Sequence, residues 1–366
     1  MQNSQAAARH PHPDAILAGG GIIGLALALE LRRRGLSVTV VERGQAMSSA
    51  SWAAGGMLAV DDPQNPPALM PLCRLSRTLY PEFLERVESL SVQRVPLRTQ
   101  QALQYVDARI SHGLRMATRE EMALLAPGLH SGDLQFALLE EGSLDPNDLR
   151  TALPAAVLAA GGNILEETAV LGVKAGASGV RVQTASGVLS AGIFVNCCGA
   201  WAGEAALGGL PIAPVKGQML NLHCAPERLR GVVRAPGVYL IPRGEGRVTI
   251  GSTIEDAGFD ETVREASIAA LAERARALVP ELQPLPQAEH WAGLRPGTPD
   301  ALPVLGAAAM EHGWHATGHY RDGILLAPAT ARLMAQMILG ETPEIPVGDF
   351  SPQRFAAARE GFRAAS

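Results

Sequence analysis

The chain has 366 residues, 47% of them hydrophobic and 18% charged, with a net charge of −5 and an isoelectric point near 6.0. That length exceeds what one ordinary core organises and predicts two closely packed domains. The mildly acidic balance argues against a nucleic-acid partner, which needs a basic face, and no run of about 18 apolar residues is present to span a membrane.

Residues 1–13 are polar, with Pro11 and Pro13, and lack the apolar centre of a signal peptide; they read as a flexible tail. Ala15 to Ala18 is a short apolar run, and three glycines follow it. Ile22 to Arg34 reads as a helix closed by Gly35, and Val38 to Val41 reads as a strand closed by Glu42. Together they make one βαβ unit of about 30 residues. Gln45 to Met57 is too rich in Ser, Ala and Gly to be a packed strand, and Leu69 to Val87 has helical spacing.

Thr118 and Glu121 form a capping box, and Asp145 with Pro146 starts a helix to Ala160 in which Pro154 predicts a kink or break. Ile164 to Ile193 resembles a small antiparallel meander, and Ile193 to Cys198 reads as a buried strand leading to Gly199 and a helix from about Trp201. Val215 to Gly251 is strand-rich and Val263 to Val279 helical. Ala316 to Leu325 is a glycine-punctuated loop before a helix from Pro328 to Leu339. The four cysteines, Cys73, Cys197, Cys198 and Cys224, have neither CxxC nor zinc-ligand spacing and suit a reducing cytoplasm; Cys197 and Cys198, in an apolar run, read as small buried side chains in a strand end.

Gly19, Gly21 and Gly24 make a GxGxxG between a strand and a helix, and an acidic residue ends the next strand. Gly19 would make the tight turn, Gly21 would admit a pyrophosphate, and Gly24 would let the helix pack close to the sheet. Exposed N–H groups and the helix dipole would hold the phosphates, and Glu42 would accept hydrogen bonds from a ribose. NAD and FAD share this fingerprint; a 2′-phosphate would be repelled by Glu42, which argues against NADP.

Three further blocks choose between them. Ser51 to Leu58 (SWAAGGML), Trp291 to Thr298 (WAGLRPGT) and Gly318 to Pro328 (GHYRDGILLAP) resemble signatures of the D-amino acid oxidase superfamily, and within it the glycine oxidases of the thiamine thiazole pathway. The resemblance runs from about Ala15 to Leu339. It implies a noncovalent FAD and an α/β plus α+β architecture: a Rossmann-type FAD-binding domain (14–62, 140–212 and 296–345) with a mostly antiparallel substrate domain (63–139 and 213–295).

The resemblance also implies the site. Cofactor contacts would come from Ile22 and Ile23 beside the glycines, Arg43 after Glu42, Ser49, Ser51, Ala53, Ala54, Gly55 and Met57 in the small-residue loop, and Gly199. The last block would add Gly318, His319, Tyr320, Arg321, Asp322, Gly323 and Ile324. Among these, the N–H groups of Gly318, Gly323 and Ile324 would face the flavin pyrimidine oxygen. Arg295 would clamp the substrate carboxylate with its planar fork, Tyr239 would share it, Arg321 would stand at the flavin edge or entrance, and Met57 would line the pocket.

Lys216 matches a basic position of the family, yet reads as a solvated side chain, and Asp61 and Asp62 read as an acidic pair without partners. No histidine set suggests a metal. Gly55 stands where an alanine is expected, and Ile254 where a methionine lies near the substrate, which bears on substrate preference.

The implied activity is oxidation of glycine, sarcosine or small D-amino acids by oxygen, giving imine or oxo acid, ammonia and hydrogen peroxide and feeding thiazole synthesis. A homo-oligomer, with thiazole synthase as partner, is the expected assembly. The alternatives are a D-amino acid, sarcosine or proline-type dehydrogenase, and a subunit of a larger amine dehydrogenase.

Overall fold

In the computed structural model, residues 12–107 and 113–355 are described; most of the expected tail, residues 1–11, lies outside them. A six-stranded sheet is built on the βαβ unit. Strand Ala15–Ala18 pairs in parallel with Val38–Val41 on one side and with Ile193–Asn196 on the other. Asn163–Leu165 extends one edge, and Gly313–Thr317 with the antiparallel strand Val304–Ala307 extends the other. Side-chain alternation then sorts the layers. Ala15, Leu17, Val38 and Val40 face helices Ile22–Arg33, Met70–Ser91, Pro146–Ala159 and Gly323–Ile338. Ile16, Ala18, Val41 and Phe194 face the expected meander, strands Val170–Gly176, Gly179–Thr184 and Gly187–Ala191.

The second sheet has eight strands and is mostly antiparallel, as expected. Its centre is strand Ala213–His223, paired with Arg247–Gly251 on one edge and His290–Gly297 on the other. Val238–Gly244, Val232–Ala235, Thr99–Val106 and Gln135–Ser143 follow in order. Helix Glu265–Leu278 covers one face, where Leu220, Leu240 and Ile250 meet Ile268 and Leu271. The other face turns toward the first sheet. Two expected division points, 139/140 and 295/296, cut continuous strands, Gln135–Ser143 and His290–Gly297.

Several local expectations change. The segment at Trp201 is a 3-10 turn, Gly199–Gly203, not an α-helix. Pro154 lies within an unbroken helix. Ala316 belongs to a strand, and the last helix starts at Gly323 with Pro328 inside it. A proline there has no N–H for the Ile324 carbonyl. The Tyr80 hydroxyl donates to that carbonyl at 2.7 Å instead, and the Ser76 hydroxyl donates to the Leu325 carbonyl while accepting from the Ala329 N–H. Helix Met70–Ser91 thus supplies the bonds that let this helix extend back to the site. Among the described residues, no helix is long and apolar enough to cross a membrane.

Candidate active site

The three glycines differ in what they make possible. Gly19 has φ +109°, and a Cβ on it would lie 2.4 Å from the Cys197 carbonyl; one on Gly24 would lie 2.0 Å from the Gly19 carbonyl. Both positions are demanded by backbone packed on backbone. A Cβ on Gly21 would meet only the Ser51 hydroxyl, at 3.2 Å, so its missing side chain leaves open space above the helix N-terminus. The Ile22 N–H donates to Ser51 Oγ at 2.9 Å, which ties the small-residue loop to that terminus. The Glu42 carboxylate accepts from Gly20 N–H (2.7 Å) and Gly44 N–H (2.9 Å), and each oxygen keeps a lone pair for a ribose hydroxyl. Beyond it, the Arg43 guanidinium lies 3.3 Å from the Trp201 ring centroid, and Phe259 stacks on that same ring.

The last helix begins at the same cavity. Gly323 and Ile324 open it, so two helix N-termini and their positive dipole ends face one space. Asp322 stands at the N-cap, where burial pushes its carboxyl up to about 7 against the opposing charge of Arg321. His319 is buried with Nε2 3.0 Å from Thr330 Oγ1, and burial pushes its imidazole down to about 3.

The wall opposite is the free face of the large sheet. Gln104, Arg234, Tyr239, Gly251, Met219 and Trp291 are successive register partners across six strands, so they share that face. Glycines make the room. A Cβ on Gly251 would lie 2.5 Å from the Tyr239 ring, one on Gly217 would lie 2.2 Å from Arg295 Nη1, and one on Gly293 would lie 2.4 Å from Ala53 Cβ. The Arg295 guanidinium donates to Ser252 Oγ at 2.6 Å and to the Thr253 carbonyl at 3.3 Å. No carboxylate among the described residues pairs with it, so its charge is uncompensated. Tyr239 donates only weakly, to Met219 Sδ at 3.6 Å.

Arg321 is held differently: it bonds Gln64 Oε1 and pairs with Asp62 at 3.2 Å. Asp61 lies 3.8 Å from Arg77, so the two aspartates do have partners. Lys216 is fully buried rather than solvated, and its ammonium bonds Asp260 and the Thr262 carbonyl.

One cavity of about 670 Å³ joins these parts. Arg295, Tyr239, Arg321 and Met57 line it, as do Gly19, Gly21, Ile22, Ile23, Glu42 and Arg43. Ser49, Ser51, Ala53, Ala54, Gly55 and Gly199 line it as well, together with residues 318–324. Gly24 does not; it sits behind the turn, against Gly19. Among the described residues, no cluster of His, Cys, Asp and Glu could hold a metal.

A nucleotide cradle that opens onto a wall carrying a carboxylate-free arginine suits an oxidoreductase whose dinucleotide cofactor meets a small anionic substrate. The chain belongs to the DAO family of FAD dependent oxidoreductases, whose profile matches residues 14–337. It is 37% identical over 357 residues to a protein named glycine oxidase from Pseudomonas aeruginosa, covering 92% of this chain and 98% of that one. It is 36% identical to a bifunctional protein ThiO/ThiG from Trichormus variabilis, covering 93% of this chain and 55% of that protein. The crystal structure of glycine oxidase from Geobacillus kaustophilus superposes with a TM-score of 0.86 at 31% identity, over 94% of this chain and 99% of that one. The cofactor of this chain is FAD, and the open space above Gly21, the spare lone pairs of Glu42 and the two helix N-termini fit it.

Sequence reading missed Ser252, Arg234, Trp201 and the three wall glycines. Arg234 and the glycines are signalled by cross-strand register, which becomes visible only once the strands are paired; Trp201 in its 3-10 turn and Ser252 just past a strand end carry no such signal.

Proposed function

We propose that the chain oxidises glycine and other small amino acids or amines, such as sarcosine and small D-amino acids, to the imine or oxo acid with release of ammonia and hydrogen peroxide. One observation carries the reading: Arg295 faces the cavity and, among the described residues, its only partners are neutral oxygens. Such a guanidinium recognises a carboxylate with a planar, bidentate geometry. Arg321 lacks that freedom because Asp62 already compensates it, so Arg295 rather than Arg321 is the clamp.

When bound, FAD supplies the hydride acceptor and hands the electrons to oxygen. The Gly19–Gly21 turn would hold its pyrophosphate, Glu42 its ribose, and the N–H groups of Gly318, Gly323 and Ile324 its ring. Arg295 and Tyr239 would fix the carboxylate and thereby the direction of the α-hydrogen, with Met57 as a wall. No side chain has to remove a proton from carbon; the amine has only to enter neutral.

The six-stranded sheet with its helices is proposed as the cofactor domain and the eight-stranded sheet as the substrate domain. A role in supplying thiazole synthesis rests on the relatives named ThiO/ThiG, with thiazole synthase as the acceptor of the product. The enzyme is proposed to act in the cytoplasm as a homo-oligomer, which cell fractionation and sedimentation of the holoenzyme test. The activity itself is tested by anaerobic bleaching of the flavin with glycine, sarcosine, D-alanine and D-proline. Bleaching by small amino acids but not by L-leucine or L-phenylalanine is expected; equal rates with the bulky L-amino acids would overturn it.

A further inference from the structure

The segment 252–264 leaves strand Arg247–Gly251, and its Ser252 and Ile254 line the cavity. It is held down by two fully buried polar side chains of the central strand, Lys216 and Gln218. The Lys216 ammonium reaches Asp260 and the Thr262 carbonyl. The Gln218 side chain donates to Glu255 Oε1 at 2.6 Å and accepts from the Arg264 N–H at 2.6 Å. Backbone bonds between Lys216 and Glu255, 2.9 and 3.0 Å, add a short ladder, and the Gln218 N–H donates to Thr253 Oγ1. Further along, Phe259 stacks on Trp201. Ser252 therefore stands on a braced segment, and a side chain braced this way is preorganised for binding.

Ser252 lines the cavity. Its hydroxyl accepts from Arg295 Nη2, and among the described residues no acceptor takes the hydroxyl hydrogen. A serine hydroxyl has one donor and two acceptor sites, and accepting from a cation polarises it into a stronger donor. We propose that Ser252 is a specificity-determining residue that donates this hydrogen to the substrate carboxylate beside Arg295. The guanidinium and the hydroxyl then form one anion-binding unit, with Gly217 leaving space for the guanidinium to lie flat on the strand. The proposal rests on the reading of Arg295 as the carboxylate clamp.

The test uses full-length holoenzyme with Ser252→Ala and Ser252→Thr. Acetate, a carboxylate without an amine, is titrated by its perturbation of the flavin absorbance, and glycine turnover is measured in parallel. In Ser252→Ala, acetate Kd and glycine KM should each rise about tenfold, the scale of one hydrogen bond to an ion. Its kcat, FAD affinity and Tm should stay at wild-type values, and Ser252→Thr should stay near wild type throughout. Unchanged acetate Kd and KM in Ser252→Ala would overturn the proposal. So would a fall in kcat alone, or loss of FAD or thermal stability, which would mark a structural role. If the wild-type holoenzyme leaves glycine unoxidised, the functional reading fails, while the acetate titration still decides the role of Ser252.

Discussion

The two walls of the cavity solve recognition by opposite means. The cofactor wall is made of backbone: a glycine turn, two helix N-termini and a loop of small residues, nearly all from contiguous segments of the first sheet. The substrate wall is made of side chains, Gln104, Arg234, Tyr239 and Arg295, carried on separate strands, and glycines on neighbouring strands give room to Tyr239 and Arg295. A pyrophosphate is large and always the same, so fixed N–H groups serve it. A small acid offers few atoms, so its site concentrates one uncompensated charge in a place that orients it.

Breaking the cofactor wall should have the largest effect. Gly21→Val should leave the apo-fold intact, because a Cβ there meets only the Ser51 hydroxyl, but should remove bound FAD altogether. Flavin content after gel filtration, with the far-UV circular dichroism of the same sample, checks both halves; a yellow variant would show that Gly21 does not border the pyrophosphate. On the substrate wall, Arg295→Ala should keep FAD and lower kcat/KM for glycine by about 3–5 kcal/mol, the scale of truncating one partner of a desolvated charge pair. Most of that loss should appear in KM, and Arg295→Lys should restore only part of it, since an ammonium lacks the planar fork. Glu42→Ala should be milder, weakening FAD by about 1–3 kcal/mol, because backbone N–H groups remain to bind the phosphates. Its measure is the FAD dissociation constant by fluorescence titration; an unchanged value removes Glu42 from the site.

The contrast between the walls also decides what could be read in the sequence. Gly19, Gly21, Gly24 and Glu42 lie within one βαβ unit, so their spacing encodes their geometry. Both sheets were foreseeable, and so was the cap at Thr118, whose side chain and that of Glu121 bond reciprocally. The start of the last helix was not, because Pro328 reads as a boundary when the compensating hydroxyls of Ser76 and Tyr80 lie about 250 positions away in the chain. Lys216 was misread for the same reason. Its burial depends on a loop 44 to 46 residues downstream that supplies an aspartate and a carbonyl. The Arg234 guanidinium donates to the buried Glu141 carboxyl between strands far apart in the chain, and neither stood out in a motif.

The smallest expected effect contrasts two buried groups, one from each side of the cavity, by the sign of a titration. Beside the cofactor helix, burial pushes His319 down to about 3 from an ordinary 6.5. Beneath the substrate wall, burial pushes Glu141 up to about 7 from an ordinary 4.5, with the charge of Arg234 opposing. Below pH 6.5 the unfolded chain protonates its histidine while the folded one does not, so the stability owed to His319 is lost as pH falls. Between pH 4.5 and 7 the folded chain holds a proton on Glu141 that the unfolded chain has released, so the stability owed to Glu141 is lost as pH rises. Across pH 5.5–6.5 each amounts to about 1 kcal/mol, and the two oppose in the wild type. Single variants should separate them. Relative to wild type, His319→Gln should gain stability as pH falls across that interval, and Glu141→Gln should gain as pH rises across it. Urea midpoints of the holoproteins at pH 5.5 and 6.5, with the slope of the transition checked for constancy, read the difference. If both variants shift in the same direction, one of the two groups does not hold its charge state through burial, and His319, whose ring nitrogen meets the Thr330 hydroxyl, is the one to re-examine first.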